Sequence, residues 1–164
     1  IVFSGYSLRF VSSVPISSSQ FDEAISRSLK INLEEAEKLK TKYGIKREEK
    51  DDVSKKVFDA LIPAITDLTE QIRKYIGYYQ THASHEHLPS DGKGVGKIFL
   101  SGGGSNLKGL TDFLSAELKI PTELGNPWVN ILPKPLKEVP ELSFEESLRY
   151  TTALGLALRG IKGE

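Results

Sequence analysis

The sequence contains no cysteine and no methionine among its 164 residues. The absence of cysteine excludes disulfide bonds, thiolate nucleophiles and zinc sites built on sulfur. Lysine plus arginine number 22, as do aspartate plus glutamate, so the formal net charge is zero. This balance gives no reason to expect nucleic acid or an anionic membrane as a partner. No apolar run approaches the roughly 18 residues needed to cross a bilayer, and the first residues do not have a signal-peptide pattern. We therefore expect no direct insertion into a membrane.

The composition is otherwise that of an ordinary soluble domain, with 38% hydrophobic and 27% charged residues. A chain of this length can form one domain with a substantial core. The lack of cysteine is compatible with a reducing compartment such as the cytoplasm. There is no initiator methionine, and residues 1–3 already have the composition of a strand. We therefore expect the chain to be a piece of a longer protein.

A β-hairpin is predicted at the start of the chain. Residues 1–3 favour a strand, Ser4 and Gly5 favour a turn, and residues 8–14 favour the returning strand. Pro15 then discourages further ladder pairing.

Two amphipathic helices are predicted next. Ser19 can cap the first, and Asn32 followed by Glu35 is the capping-box pattern of the second. Gly44 is typical of a helix end. The expected buried residues are Phe21, Ala24, Ile25 and Leu29 in the first helix and Leu33, Ala36 and Leu39 in the second.

The rest of the chain alternates helices and strands. Apolar residues at helical spacing predict a long helix over residues 53–79, which Pro63 should kink or split. Ser143 and Glu146 form another capping box, which opens a final helix ending near Arg159. The other predicted elements are a loop over 81–96, a strand over 97–101, a helix over 107–118, a strand over 121–124 and extended coil over 125–140. This order predicts an α/β fold.

Three consecutive glycines follow the predicted strand 97–101 and precede a predicted helix. Because glycine has no Cβ, a ring or a sugar could lie directly against this backbone, and the free N–H groups of a helix start would point into the same space. In open α/β sheets, ligands bind beyond the carboxyl ends of the strands, where this turn is predicted. From the residues alone, a nucleotide wall and a tight connection without a ligand are equally good explanations.

Two common phosphate-binding motifs are absent. A P-loop needs lysine followed by serine or threonine after its glycines, and a dinucleotide fingerprint needs glycine where Leu107 stands. The glycine turn is therefore not predicted to cradle phosphates.

Residues 100–110 resemble the adenosine motif of the actin-like ATPases, a superfamily that includes FtsA, MreB and the type IV pilus assembly protein PilM. Residues 34–44 resemble a helix on the smaller lobe of those proteins, where a glutamate reaches the ribose hydroxyls and a lysine packs beside the adenine. The matching residues are Glu37 and Lys40, whose spacing places them on one helix face; an exposed ion pair between them is the alternative. The resemblance implies a nucleotide site formed by Glu37, Lys40, Gly102, Gly103, Gly104, Ser105 and Asn106.

The C-terminal segment 152–160 resembles the connecting helix of the same superfamily, in which small residues let two helices cross closely. The order and spacing of all these segments, over most of the chain, resemble the PilM family in particular. The resemblance implies the second lobe of an actin-like, ribonuclease H-like ATPase fold, with a mixed sheet flanked by helices and an inserted smaller subdomain. Residues 1–16 and 81–164 would form the inner subdomain, and residues 17–80 a mostly helical outer subdomain.

The resemblance also implies a cofactor, partners and a location. ATP or ADP with Mg²⁺ is expected in the full-length protein. The family's phosphate loops and metal-handling acids have no counterpart here, so we expect little or no ATP hydrolysis by this chain alone and assign no catalytic residue or metal ligand. The protein would act in type IV pilus or related secretion assembly, in the cytoplasm and peripheral to the inner membrane. It would be recruited there by the N-terminal tail of a PilN-like protein, bound mainly by the missing lobe, with other pilus assembly proteins as further partners.

Two other functions stay open. The chain could come from an FtsA- or MreB-type division or shape filament protein, of which FtsA carries a C-terminal amphipathic helix. It could also be an interaction domain that has kept the fold and lost the nucleotide, which titration with ATP and ADP would reveal.

Two further groups of polar residues have simpler explanations. His82, His85 and His87 lie in one predicted polar loop, and although histidine-rich tracts can bind metal, such a loop lacks rigid geometry. We expect them to be exposed histidines without a ligand. Asp67 and Glu70 lie three residues apart with no base or nucleophile placed beside them, so we interpret them as solvated surface.

Overall fold

The computed structural model describes residues 1–5, 7–46, 51–82, 94–132 and 141–162. Helices and strands are mixed along the chain, as predicted. In order they are β1 Val2–Ser4, β2 Ser7–Phe10, α1 Ser18–Leu29, α2 Leu33–Tyr43, α3 Asp52–His82, β3 Ile98–Leu100, α4 Leu110–Leu118, β4 Thr122–Leu124, α5 Phe144–Ser147 and α6 Thr151–Lys162, with 3-10 turns at Gly103–Asn106 and Leu148–Tyr150. In these segments, no helix combines the length and apolar character needed to span a membrane.

The N-terminal hairpin is shorter than the sequence pattern predicts. Strands β1 and β2 pair antiparallel with Phe3 opposite Leu8, and regular pairing ends at Phe10. Residues 11–14 were predicted to continue the strand, but they have no strand partner, and Val11 is 58% exposed. The Phe10 ring contacts α3, with its centroid 5.6 Å from that of Tyr78. This aromatic contact, rather than a longer strand ladder, holds the hairpin against α3.

Helix α1 begins two residues earlier than predicted. The N-cap is Ser17 rather than Ser19, and the Gln20 Oε1 accepts a hydrogen bond of 3.0 Å from the Ser17 backbone N–H. That bond satisfies one of the N–H groups that a helix start leaves without a partner.

Helix α2 has the predicted ends. Asn32 is its N-cap, and Asn32 Oδ1 accepts from the Glu35 backbone N–H at 2.8 Å. Gly44 ends the helix with φ of 61°, and a Cβ on it would lie 2.4 Å from the Lys108 carbonyl oxygen. Only glycine fits this close approach. The prediction that Leu33 is buried is wrong, because its side chain is 55% exposed.

Helix α3 runs unbroken past Pro63 for 31 residues. Pro63 is exposed, whereas Leu61 and Ile65 on the other face are completely buried. Because full burial of such a side chain contributes about 1.5–3 kcal/mol, packing on both sides of the proline offsets its missing hydrogen bond. The predicted split is therefore wrong. The core comprises Phe21, Ile25, Ala36, Ile45, Val57, Leu61, Ile65, Leu107, Leu110 and Leu114.

The described strands form two separate two-stranded sheets rather than the predicted single mixed sheet. The second sheet is parallel, with Ile98 of β3 opposite Thr122 of β4. Helix α4 begins at Leu110 instead of residue 107, because a 3-10 turn follows the strand and Gly109 has φ of 84°. The predicted division into inner and outer subdomains stays a prediction.

The C-terminal helical region begins where predicted but is not one continuous helix. The Ser143–Glu146 capping box is present, and the helical region divides into α5, a 3-10 turn and α6. Residues 127–131 form a turn in place of the predicted extended coil, with the Ile131 N–H donating to the Trp128 carbonyl at 3.0 Å. Residues 133–140 lie outside the described segments.

Candidate functional site

A polar cleft of about 650 Å³ opens between α1 and α2 on one side and the glycine turn after β3 on the other. The third wall is formed by α5 and the 3-10 turn that follows it. Six of the seven predicted site residues line this cleft, namely Glu37, Lys40, Gly103, Gly104, Ser105 and Asn106. The seventh, Gly102, does not. The fold therefore brings together two segments that lie more than 60 residues apart in the chain.

Gly102 is outside the cleft lining, and its hydrogen bonds hold the turn in place. Its N–H donates to the Leu148 carbonyl at 2.9 Å, and its own carbonyl accepts from the Ser105 N–H at 3.1 Å. Its φ of 89° and ψ of 163° lie in a region that is essentially restricted to glycine. Gly102 thus connects strand to turn, and it contributes to the cleft only by shaping the backbone.

The Ser105 hydroxyl is already used inside the turn. It donates to the Gly102 carbonyl at 2.6 Å, and the residue is only 7% exposed. Ser105 was predicted to contact a nucleotide, a role that stays a prediction. With its hydrogen donated to Gly102, the hydroxyl could only accept a hydrogen bond from a ligand.

Asn106 ties the turn to α5. Its Nδ2 donates to the Glu145 carbonyl at 2.7 Å. Its Oδ1 is buried and makes no hydrogen bond with any residue in the described part of the chain. An acceptor without a donor is costly in a buried position, and because this oxygen is buried, a ligand could reach it only after the side chain moves.

Lys40 is held in a polar cluster at the edge of the cleft. Its Nζ lies 2.8 Å from Asp22 Oδ2 and 2.9 Å from Ser18 Oγ, and the Lys40 and Asp22 side chains are only 12% and 15% exposed. The alternative ion pair between Glu37 and Lys40 is therefore wrong. No sequence signal indicates Asp22 as the partner, because the two residues lie on different helices.

Glu37 is an acidic residue of the cleft whose carboxylate is not engaged within the described structure. The residue is exposed, and its backbone carbonyl accepts from Thr41 Oγ1 at 2.9 Å. Among the described residues, its carboxylate has no hydrogen-bond or ion-pair partner. A free carboxylate can accept hydrogen bonds from two neighbouring hydroxyl groups.

The sequence patterns did not indicate Arg149, which also lines the cleft. It lies in the 3-10 turn after α5, six residues beyond the Ser143 cap. The Ser143 hydroxyl, with a smaller contribution from the Arg149 charge, lowers the pKa of Glu146 from its ordinary value of 4.5. The one available signal was the position of Arg149 shortly after a capping box, which is too common to single it out.

A second depression, of about 620 Å³, lies between the hairpin, α3 and β3. Its lining is mainly apolar and contains none of the predicted site residues. The side chains exposed along it include Ile1, Phe3 and Phe99. With no convergent polar groups, it has less of the character of a ligand site than the polar cleft.

Of the three histidines in the predicted loop, the structure describes only His82. The His82 ring stacks on Tyr78 with 4.0 Å between centroids, whereas His85 and His87 lie outside the described residues. No group of three or more potential metal ligands occurs in the segments that the structure covers. Asp67 and Glu70 are both exposed.

Comparison with known proteins adds a family and a related structure. The sequence matches the family described as "Type IV pilus assembly protein PilM" over residues 13–161. A chain in the solved structure "PilM-PilN type IV pilus biogenesis complex" is similar, with 31% sequence identity and a TM-score of 0.66. The similarity covers 89% of this chain and 37% of that one. A comparison with curated proteins finds no significant match.

Proposed function

The chain belongs to the type IV pilus assembly protein PilM family, and on that premise we propose that it is the adenosine-binding half of an ATP-binding pilus assembly protein. The protein acts in type IV pilus or related secretion assembly at the cytoplasmic face of the inner membrane. The family match over residues 13–161 favours this function over that of an FtsA- or MreB-type filament protein.

The convergence of α2 and the glycine turn on one cleft carries the nucleotide part of this proposal. Glu37 and Lys40 come from α2, and Gly103, Gly104 and Asn106 come from the turn after β3. Only the fold brings these segments together. A cleft lined by a carboxylate without a partner and by exposed glycine backbone is suited to a sugar and a flat ring.

Each group has a defined task in this proposal. The Glu37 carboxylate accepts hydrogen bonds from the two ribose hydroxyls. The glycine turn lies against the adenosine, and Lys40, fixed by Asp22, forms a rigid wall beside the adenine. ATP or ADP with Mg²⁺ binds in the full-length protein, where residues outside this chain hold the phosphates and the metal, because the sequence contains no P-loop pattern.

The proposal extends to a partner and a location. The related solved structure is a PilM-PilN complex, and this chain corresponds to 37% of the matched chain. We propose that the full-length protein binds the N-terminal tail of a PilN-like membrane protein, mainly through its other lobe, and also meets further pilus assembly proteins. The tail recruits it from the cytoplasm to the inner membrane.

Titration of adenine nucleotides with a matched pair of variants tests the proposal. The wild-type chain should bind ATP and ADP by calorimetry, and Glu37→Gln should weaken binding by about 10- to 100-fold, since hydrogen bonds to a charged group contribute about 1.5–3 kcal/mol. Glu34→Gln is the control, because Glu34 lies one turn earlier on α2, is exposed, and is not part of the cleft lining. Equal effects of the two substitutions would contradict the ribose contact.

ATP hydrolysis provides a second readout. We expect little or no turnover by this chain alone, because it supplies the adenosine side of the site only. Measurable hydrolysis that Glu37→Gln abolishes would overturn this expectation.

A nucleotide-free interaction domain is the second candidate. It is favoured by the internal satisfaction of two polar groups in the cleft, since Lys40 pairs with Asp22 and the Ser105 hydroxyl bonds to Gly102. These two groups need no ligand to be satisfied. No binding heat and no change in melting temperature with magnesium nucleotide would support this candidate over the first.

A further inference from the structure

The side chain of Arg149 packs against Gly103. A Cβ built on Gly103 would lie 3.2 Å from Arg149 Cγ and 3.3 Å from Arg149 Nε. These distances are tighter than ordinary contact, so an alanine here would push the arginine aside. The space that Gly103 leaves open is therefore filled by Arg149, and a ligand in the cleft would meet the arginine as well as the glycine backbone.

The backbone that carries Arg149 is firmly attached to the glycine turn. The Leu148 carbonyl accepts from the Gly102 N–H at 2.9 Å, and Asn106 Nδ2 donates to the Glu145 carbonyl at 2.7 Å. Leu148 and Ser147 are completely buried. The backbone of Arg149 is thus held in a fixed position beside the cleft.

The guanidinium end of Arg149 is exposed. In the described segments it makes no hydrogen bond or ion pair. The nearby Glu146 carboxylate is occupied by Ser143, whose Oγ lies 2.7 Å from Glu146 Oε2. An arginine whose backbone is fixed and whose guanidinium has no partner is available to contact a ligand.

We propose that Arg149 forms one wall of the base pocket, with its guanidinium plane stacked on the purine ring of the bound adenosine. This inference rests on the proposed nucleotide function. Arginine suits the task because its delocalised planar group can stack flat on an aromatic face, whereas the ammonium group of lysine offers only a point charge.

The charges of the cleft favour contact with the base over contact with the phosphates. Three carboxylates line it, from Glu37, Glu145 and Glu146, and the charge of Lys40 is already balanced by Asp22. The remaining lining cations are Lys108 and Arg149, so the carboxylates outnumber them. The cleft therefore has no excess of positive charge that would draw phosphates to Arg149, and an uncharged ring needs none.

Binding of adenosine and of ATP by Arg149 variants tests this assignment. Arg149→Ala should weaken both ligands by the same factor, about tenfold, and Arg149→Lys should be nearly as weak because it keeps the charge and loses the plane. Melting temperatures without ligand should stay at the wild-type value. Arg27→Ala is the control, since Arg27 is an exposed arginine outside the cleft lining.

The outcomes separate this inference from the function on which it rests. A loss confined to ATP, restored by Arg149→Lys, would show a phosphate contact and overturn the stacking assignment. Wild-type binding that Arg149→Ala leaves unchanged would overturn the inference and leave the proposed function standing. No binding of either ligand by the wild-type chain would overturn both.

Discussion

Replacing the three glycines of the turn by alanine, one at a time, should have three different effects on stability. Gly102 has φ of 89° and ψ of 163°, and a Cβ on it would meet no atom within 4 Å. The cost of Gly102→Ala is therefore backbone strain alone, about 1–3 kcal/mol. Steric clash does not contribute to this cost, because the added methyl group would lie in open space.

The other two positions lack this strain. Neither Gly103 nor Gly104 has a positive φ. A Cβ on Gly104 would lie 3.5 Å from Ser18 Cβ, an ordinary contact, so Gly104→Ala should be neutral or stabilising by about 0.4–1 kcal/mol through the unfolded chain. A Cβ on Gly103 would press on the exposed Arg149 side chain, which can move, so Gly103→Ala should cost less than about 1 kcal/mol. It should nevertheless weaken adenosine binding as Arg149→Ala does.

Urea denaturation followed by circular dichroism, with melting curves beside it, measures the series. For a chain of this size, each kcal/mol should move the melting temperature by about 2–4 °C. The expected order of stability is Gly104→Ala, then Gly103→Ala, then Gly102→Ala. A Gly102→Ala variant as stable as the wild type, or equal losses at all three positions, would refute the assignment of separate tasks to these glycines.

Two further predictions concern charged residues. Asp22→Ala should destabilise the chain by about 3 kcal/mol, because it leaves the nearly buried Lys40 charge unpaired, whereas Glu34→Ala at an exposed ion pair should cost no more than about 1 kcal/mol. Similar urea midpoints for the two variants would contradict the distinction. The Ser143 hydroxyl lowers the pKa of Glu146 from its ordinary value of 4.5. The ionised carboxylate therefore stabilises the folded chain at pH values above 4.5, and this stabilisation is lost as the pH falls through the lower pKa of the folded state. Glu146→Gln should therefore be less stable than the wild type near neutral pH and match it in acid. A stability difference that does not change with pH would count against this.

Several elements were predictable because their signals are local. The Asn32 cap of α2, its end at Gly44 and the Ser143–Glu146 capping box depend on hydrogen bonds between residues a few positions apart. The errors occur where packing decides. Residues 11–14 have the composition of a strand but no partner, and Pro63 remains inside α3 because the buried Leu61 and Ile65 hold the helix on both sides.

The candidate site divides in the same way. The residue types of the site could be read from the sequence: a Glu–Lys pair on one helix face, a triple glycine after a strand, and a likeness to the PilM family. The contacts of these residues could not, because Lys40 pairs with Asp22 instead of Glu37, and Arg149 fills the space beside Gly103. These partners come from different elements, and no spacing rule relates them. Their contacts exist only after the core has packed α1 against α2 and the turn against α5.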